Sequence, residues 1–291
     1  MKLNKILVFG GSGFMGSHLA DELIKNNKKV LIYDTKKNPF LKKNQKFLRG
    51  NILDKKKVIK SSKNFKIIYH FAGITDLEEA NLNPMSTIYT NIIGTINILE
   101  ACKINKIKKI IFASSIYALS EQGGFYSVTK NSSEMLIEKF CEHYKIKYTI
   151  LRFGSLYGTR SGKKNSIKNL ITQGMKNGKI IRNTNGKEVR NYINVKDCAK
   201  VCVRILNSKY NNKYFNIIGK KSWKIRNIIK IISNKIPIKK IEFFPEKATG
   251  YHYINDPFTF KIKKGEFIKN KKEINISKGI DEIINELQKK N

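Results

Sequence analysis

Apolar and polar positions follow two alternating periods along the first half of the chain. Short apolar runs, typical of strands buried in a parallel sheet, alternate with longer segments in which apolar residues recur every three to four positions, typical of helices. We therefore expect an α/β fold with a doubly wound parallel sheet and helices on both faces. The predicted strands cover 5–10, 29–34, 46–54, 66–73, 108–115 and 147–154, and the main predicted helices cover 16–27, 84–105 and 125–144.

The pattern changes after about residue 155. Segments become shorter, and turns rich in Gly and Asn separate them. Four helices are predicted over 166–177, 196–207, 222–234 and 277–289, and four weak strands near 180–183, 190–194, 213–217 and 241–244. We expect a larger domain over 1–160 and a smaller C-terminal α/β substrate region over 161–291, with the chain crossing between the two.

The net charge of +36 suggests a polyanionic partner, but the composition argues against nucleic acid. Of the 58 basic residues only seven are Arg and 51 are Lys, spread over many loops and helix faces. Sequence-specific nucleic-acid sites depend on Arg and on aromatic stacking platforms. We expect a lysine-rich solvated surface and no nucleic-acid partner, although the charge can still help to attract an anionic substrate.

The cysteines favour a reducing compartment. Cys102, Cys141, Cys198 and Cys202 form no CxxC pair. Cys198 and Cys202 are four residues apart and could share a metal ion, but no His or carboxylate pattern completes such a site. With no signal peptide and no apolar stretch of membrane-spanning length, the chain is predicted to be cytoplasmic, metal-free and not bound to a membrane.

A glycine-rich turn follows the first predicted strand and opens the first helix. Missing side chains let the backbone approach a pyrophosphate, whose charge is stabilised at the helix N-terminus. Asp34 ends the second strand, where a carboxylate accepts hydrogen bonds from ribose hydroxyls and repels a 2′-phosphate. NAD is therefore favoured over NADP, and the lysines at 36–37 are better explained as solvated. The turn contains Gly10, Gly13 and Gly16.

Tyr126 and Lys130 are four residues apart in a predicted helix, which places them on one face. A lysine beside a phenol favours the phenolate, so the pair can act as a base toward a hydroxyl group.

Seven motifs occur in one order across nearly the whole chain. They are the glycine-rich turn, HFAG (70–73), NIIGT (91–95), ASS (113–115), YSVTK (126–130), LRFGSLYG (151–158) and RNYINVKD (190–197). Together they closely resemble the extended short-chain dehydrogenase/reductases that act on nucleotide sugars, namely 4-epimerases, 4,6-dehydratases and 4-dehydrogenases. The resemblance implies a Rossmann-type fold and NAD as cofactor.

The resemblance also implies roles for individual residues. Tyr126 would be the base, Lys130 would bind the nicotinamide ribose, and Ser115 (with Ser114 as a fallback) would bind the sugar oxygen. Capping of a turn by Ser115 and an edge-strand salt bridge of Arg190 remain the structural alternatives. The implied cofactor-binding residues are Gly10, Gly13, Phe14, Met15, Gly16, Asp34, Asn51, Ile52, Phe71, Ala72, Gly73, Asn91, Tyr126 and Lys130, and the implied substrate-binding residues are Ser115, Ser155, Arg160 and Arg190.

Several positions depart from the family pattern. Asn51 stands where an Asp usually contacts adenine, and Ser155 replaces an Asn that often touches the substrate. The 4,6-dehydratases need a Thr-Asp-Glu run, where this chain has Ser-Ile-Tyr at 115–117, so elimination of water is not expected. Only eleven positions separate Ser115 from Tyr126, fewer than in typical 4-epimerases, which predicts a reshaped sugar pocket.

We therefore expect an NAD-dependent 4-dehydrogenase or 4-epimerase of a nucleotide sugar in surface-polysaccharide synthesis. A capsule-type GDP-heptose 4-dehydrogenase is one member that would fit. A reductase of a non-nucleotide ketone and a non-catalytic NAD-binding protein are the alternatives. The long helices over 84–105 and 125–144 resemble those through which the family forms homodimers. The nucleotide base, the sugar, and epimerisation versus net oxidation stay open.

Overall fold

The centre of the molecule is an eight-stranded sheet in which every pairing is parallel. A computed structural model describes residues 5–120, 122–245, 266–268 and 273–289. The strands of this sheet are β1 (Lys5–Phe9), β2 (Lys29–Asp34), β3 (Gln45–Arg49), β4 (Ile67–His70), β5 (Lys109–Ser115), β6 (Lys147–Phe153), β11 (Lys213–Ile217) and β14 (Glu266–Phe267). Their order is β14-β11-β6-β5-β4-β1-β2-β3.

The strand order reverses between β1 and β4, and a parallel sheet binds ligands in the crevice at such a point. Alternate residues of β1 serve the two faces: Ile6 and Val8 belong to one buried cluster, whereas Leu7 and Phe9 belong to the other. The predicted Rossmann-type α/β fold is confirmed.

Helices cover both faces of the sheet. One face carries α1 (Phe14–Lys25) and α8 (Val195–Arg204), which pack against each other. The opposite face carries α2 (Lys55–Ser62), α5 (Gly94–Ile104) and α6 (Gly124–His143). Asp54 caps α2, because its Oδ1 accepts a hydrogen bond from the Lys57 backbone N–H at 2.9 Å.

The C-terminal half contributes to two cores. Strand β11 and helix α8 return to the large sheet, whereas a smaller apolar cluster lies among the other C-terminal elements. The helices of the smaller cluster are α7 (Ser166–Asn177), α9 (Ile225–Ser233) and α10 (Ile276–Gln288). Three two-stranded sheets accompany them: β7 (Ser155–Tyr157) with β10 (Tyr192–Asn194), β9 (Val189–Arg190) with β12 (Trp223–Lys224), and β8 (Lys179–Arg182) with β13 (Lys240–Phe243).

The segment predicted as one long helix over 84–105 is interrupted. It consists of α4 (Pro84–Ile88), a π-helical turn (Tyr89–Ile93) and α5, and a short unpredicted helix, α3 (Leu77–Leu82), precedes it. Such π-helical turns often lie at functional sites, where the extra residue re-aims a side chain.

Candidate active site

The glycine-rich turn lies at the carboxyl end of β1 and has no space for side chains. Gly10 has φ 77°, and a Cβ there would collide with the backbone of Phe71 and Ala72. A Cβ on Gly16 would collide with the Gly10 carbonyl oxygen. Gly13 is the N-cap of α1 and makes no side-chain cap, so the first turn of the helix presents its N–H groups at this edge. This turn has the form that a dinucleotide pyrophosphate requires.

Asp34 lies beside this turn, as the prediction of a ribose ligand requires. Its Oδ2 accepts a hydrogen bond from the Ser12 backbone N–H at 3.0 Å, which ties the end of β2 to the glycine-rich turn. A carboxylate has lone pairs for further donors, so Asp34 can still accept ribose hydroxyls.

The Asn51–Ile52 turn follows β3 at the same edge of the sheet. The Tyr33 hydroxyl donates to the Asn51 carbonyl at 2.9 Å, and the Asn97 side chain donates to the Ile52 carbonyl at 3.0 Å. Asn51 uses its own Oδ1 to accept from the Leu53 N–H at 3.0 Å. The turn predicted to meet adenine is thus held from two sides.

Ser115, Tyr126 and Lys130 come together at the carboxyl end of β5. The Tyr126 hydroxyl is hydrogen-bonded to the Ser115 side chain. The Lys130 ammonium lies 5.9 Å from the centre of the Tyr126 ring and donates to the Ala113 carbonyl at 2.8 Å. Ser115 also accepts from the Tyr117 N–H at 3.2 Å, so it caps a turn and faces the base at once.

Burial shifts the two titrating groups of this site toward their neutral forms. It raises the pKa of Tyr126 to about 12, which the hydrogen bond from Ser115 partly opposes. It lowers the pKa of Lys130 to about 8, and the charge of Glu134 acts in the opposite direction. A positive nicotinamide ring next to Tyr126 is therefore what would bring its phenolate into the neutral range.

Asn91 lies in the π-helical turn and joins three elements. Its Oδ1 accepts from the Ile74 N–H at 2.8 Å, and its Nδ2 donates to the Ile74 carbonyl at 3.0 Å and to Thr129 Oγ1 at 3.1 Å. A Cβ on Gly73 would lie 2.7 Å from the Asn91 oxygen, so the HFAG turn must end in glycine. Asn91 thus fixes the residue next to Lys130.

Two glycines stand at the start of helix α6. Gly123 and Gly124 have φ 98° and 53°, and the Asn81 side chain of α3 accepts from the Phe125 N–H at 3.1 Å in place of a local cap. The short insert predicted to reshape the pocket includes Glu121, which lies outside the described residues.

The positions that carry the acid and the base in 4,6-dehydratases are occupied here by Ile116 and Tyr117. Ile116 is 3% exposed and packs with Ile218, and Tyr117 packs against this pair. The Tyr117 ring lies edge-on to Tyr126 at 6.3 Å between centres. The wall beside the base is therefore apolar and aromatic.

The predicted substrate residues lie on the small sheets. Ser155 pairs with Tyr192 in the β7–β10 ladder, and Arg190 faces Trp223 in the β9–β12 ladder. Arg190 is buried, with one guanidinium N–H donating to the Val189 carbonyl at 2.8 Å.

Arg160, one of the residues implied to bind the substrate, makes contacts within the protein, and its substrate role stays a prediction. Its guanidinium pairs with Asp21 of α1 at 2.9 Å and lies over the Phe40 ring at 4.6 Å, and its backbone N–H donates to Glu286. An ion pair and a stacked ring hold this side chain against α1. The fallback Ser114 is likewise committed, because its hydroxyl donates to Glu134.

The sequence model of the NAD-dependent epimerase/dehydratase family matches residues 6–217. The chain belongs to this family. This confirms the predicted relationship and the predicted NAD cofactor, and the chain is an enzyme of an NAD-dependent family that acts on nucleotide sugars.

Relatives and solved structures match between about three quarters and nearly all of this chain. A protein of Methanocaldococcus jannaschii assigned as a UDP-glucose 4-epimerase is 30% identical over 98% of this chain and 99% of its own. The dTDP-D-glucose 4,6-dehydratase of Dictyostelium discoideum is 29% identical over 74% of this chain, which spans 58% of that relative. The UDP-glucose 4-epimerase structure from Thermotoga maritima has a TM-score of 0.86 at 24% identity, covering 98% and 99% of the two chains.

Sequence reasoning missed two parts of the site. The π-helical turn has no clear sequence signal, whereas Glu134 continues the four-residue spacing of Tyr126 and Lys130 and could have been found from it. Among the described residues, no helix has the length and apolar character needed to cross a bilayer, and no cluster of metal-binding side chains occurs there.

Proposed function

We propose that this family member oxidises C4 of a UDP-linked hexose and returns the hydride to the keto sugar, as a 4-epimerase does. The arrangement of Ser115, Tyr126 and Lys130 at the carboxyl end of β5 carries this proposal, because it places a hydroxyl, a phenol and an ammonium group in one buried site. The nucleotide is taken from the names of the relatives, in which UDP-sugars recur.

In this reaction Ser115 donates to the sugar 4-oxygen and Tyr126, as the phenolate, takes the proton of the 4-hydroxyl. The electron pair of the O–H bond forms the carbonyl while the C4–H bond breaks. NAD, when bound, accepts the hydride released from C4. Lys130 stabilises the phenolate before it takes the proton and again after Tyr126 has returned the proton to the sugar oxygen.

Loss of water is the reaction that the wall of the pocket disfavours. Elimination needs an acid and a base beside the sugar, and Ile116 and Tyr117 provide neither a carboxyl group nor a carboxylate. Dehydratases also occur among the relatives, so the product decides between the two reactions.

The expected GDP-sugar substrate, the role in capsular polysaccharide and the cytoplasmic location are further proposals. GDP-heptose oxidation for capsular polysaccharide would require a guanine nucleotide at the site, whereas the relatives described above are named for UDP- and dTDP-sugars. A cytoplasmic location agrees with Cys102, Cys141, Cys198 and Cys202, which are buried free thiols.

The test uses the purified full chain with NAD and a panel of UDP- and GDP-sugars, each with deuterium at C4. We expect a C4-epimerised UDP-sugar that retains the deuterium, and at least 100-fold lower kcat for Tyr126→Phe with unchanged NAD affinity. Tyr144→Phe, at the C-cap of the same helix and more exposed, is the matched control.

Each other outcome has a distinct meaning. Deuterium accumulating in NADH identifies a 4-dehydrogenase, turnover of GDP-sugars alone overturns the UDP assignment, and a 6-deoxy-4-keto product identifies a dehydratase. Near-normal turnover by Tyr126→Phe rejects the mechanism. Reduction of a simple ketone without any protection by UDP or GDP supports the reductase alternative.

A further inference from the structure

We propose that Glu134 is a positioning residue of the active site: clamped by Arg152 and Ser114, its carboxylate is the electrostatic partner of Lys130 one helical turn away and fixes helix α6 against strand β5. This inference rests on the proposed function, because it concerns the base of that reaction. It adds a residue to which neither the motifs nor the relatives assign a role.

The first observation is a buried ion pair behind the catalytic residues. Arg152 of β6 binds Glu134 with both ends of its guanidinium group: Nε lies 2.9 Å from Oε1, and Nη2 lies 2.6 Å from Oε2. The two side chains are only 3% and 2% exposed. Burying two charges costs desolvation, so such a pair is weak evidence for stability and more readily explained by a local requirement for the charge.

The second observation is the connection from this pair to the catalytic strand. Ser114 donates its hydroxyl hydrogen to Glu134 Oε1, and its chain neighbours are both in the site. Ala113 accepts from the Lys130 ammonium, and Ser115 hydrogen-bonds Tyr126. The Glu134 carboxylate therefore holds Ser114, which lies between the residue that contacts Lys130 and the residue that contacts Tyr126.

The third observation is the position of Glu134 on the helix. It lies one turn beyond Lys130, as Lys130 lies one turn beyond Tyr126, so the three side chains follow one helix face. The charge of Glu134 raises the pKa of Lys130 against the effect of burial. It thereby extends the pH range in which an ammonium group supports the phenolate.

Among the described residues, the other groups that face Lys130 do not supply this negative charge, and Arg152, which binds Glu134, is itself positively charged. From β5 it meets the Ala113 carbonyl and the Phe112 ring, whose centre is 4.7 Å from Nζ. His70 of β4 is buried, and burial lowers its pKa to about 3, so it stays neutral. Asn91 and Gly73, which lie near the ammonium, are uncharged.

The test compares Glu134→Gln with Arg152→Lys, which keeps both charges but loses the forked contact. For Glu134→Gln we expect the alkaline limb of kcat/KM to move to lower pH by about one unit, with kcat about tenfold lower and KM for the UDP-sugar within about twofold. For Arg152→Lys we expect a lower Tm and an alkaline limb close to that of the wild type.

A second readout does not depend on catalysis. Only the neutral amine reacts with an acylating reagent, so the rate of Lys130 labelling against pH, measured by peptide mass spectrometry on the cofactor-free protein, reports its ionisation. Glu134→Gln should label at lower pH. If Glu134→Gln alone does not fold, the neutral pair Glu134→Gln/Arg152→Gln should show a smaller shift in the same direction, because it also removes the positive charge of Arg152.

If the alkaline limb of kcat/KM and the labelling curve of Lys130 are unchanged in the folded Glu134 variants, the Glu134–Arg152 pair is purely structural and the inference is overturned. Activity in Tyr126→Phe would instead reject the proposed function. Because the labelling does not require turnover, the two failures are distinguishable.

Discussion

At the scale of single residues, burial and charge oppose each other in the site. The structure places Tyr126 and Lys130 where water is largely excluded, which favours the neutral forms of both groups. The chemistry requires the charged forms. Three groups favour the charged forms: the positive charge that NAD carries when bound and the Ser115 hydroxyl act on Tyr126, and the Glu134 carboxylate acts on Lys130. The proposed base therefore depends on its neighbours and on the cofactor for its ionised form.

The cost of burying Lys130 predicts how stability depends on pH. In the unfolded chain a lysine titrates near 10.4, whereas in the fold its pKa is lowered to about 8 by burial. Below pH 8 both states are protonated and the fold bears the full cost of the buried charge. As the pH rises from about 8 to 10.5, the folded state loses this proton first, and the cost disappears.

We therefore compare the free energy of unfolding of Lys130→Met with that of the wild type at each pH. We expect this difference to shift in favour of the wild type by about 3 kcal/mol between pH 7 and 10.5, because only the wild type loses the cost of a buried charge. The measurement is urea unfolding of both cofactor-free proteins at several pH values. Lys139→Met, at an exposed position of the same helix, is the control. Parallel stability curves for Lys130→Met and wild type would contradict the shift.

At the scale of elements, the sequence predicted the strands and helices with a regular apolar period and missed the irregular elements. Strand β1 and helix α1 follow from an apolar run, three glycines and a helical period, each a local signal. The π-helical turn depends on Asn91 meeting Ile74, Thr129 and the end of β4, contacts that no local period reports. The same holds for Asn81, which caps α6 from another helix.

The small ladders show the same division. The motif RNYINVKD begins with Arg190, whereas Arg160 is a second candidate two residues after LRFGSLYG. The fold separates them: Arg190 lies two residues before the β7–β10 pairing, whereas Arg160 turns back to Asp21. A guanidinium group can bind a carboxylate as well as a phosphate. Which of them an arginine binds depends on the residues that the fold brings near it, which the sequence alone does not show.

This difference predicts how the two arginines respond to the same substitution. We expect Arg190→Lys to raise KM for the UDP-sugar about tenfold, because a lysine cannot form the two-pronged contact, while NAD affinity stays within about twofold. Arg160→Lys should change Tm and leave this KM near the wild-type value. Steady-state kinetics and thermal unfolding of both variants provide the comparison. Equal changes in KM would indicate that Arg160 binds the substrate as well.

At the scale of the whole molecule, one surface is unusually apolar for a chain so rich in lysine. Leu82 and Met85 are 73% and 61% exposed, and Val128 and Met135 of the catalytic helix are 58% and 60% exposed. Helices α3 and α4 pack against α6, so these side chains lie on neighbouring elements. Exposed apolar patches of this kind mark interaction sites, and we propose a second copy of the chain as the partner.

A dimer through this surface makes a prediction about charge. In a twofold interface each substitution occurs twice, so Met85→Glu combined with Met135→Glu places four carboxylates in one apolar contact. We expect the wild type to sediment as a dimer and this variant as a monomer at micromolar concentration, with lower Tm. Ile181→Glu, at an exposed apolar position of β8, should remain a dimer. A monomeric wild type would reject the dimer, and a dimeric double variant would place the contact on another surface. A monomer that keeps full activity would show that each site is complete within one chain.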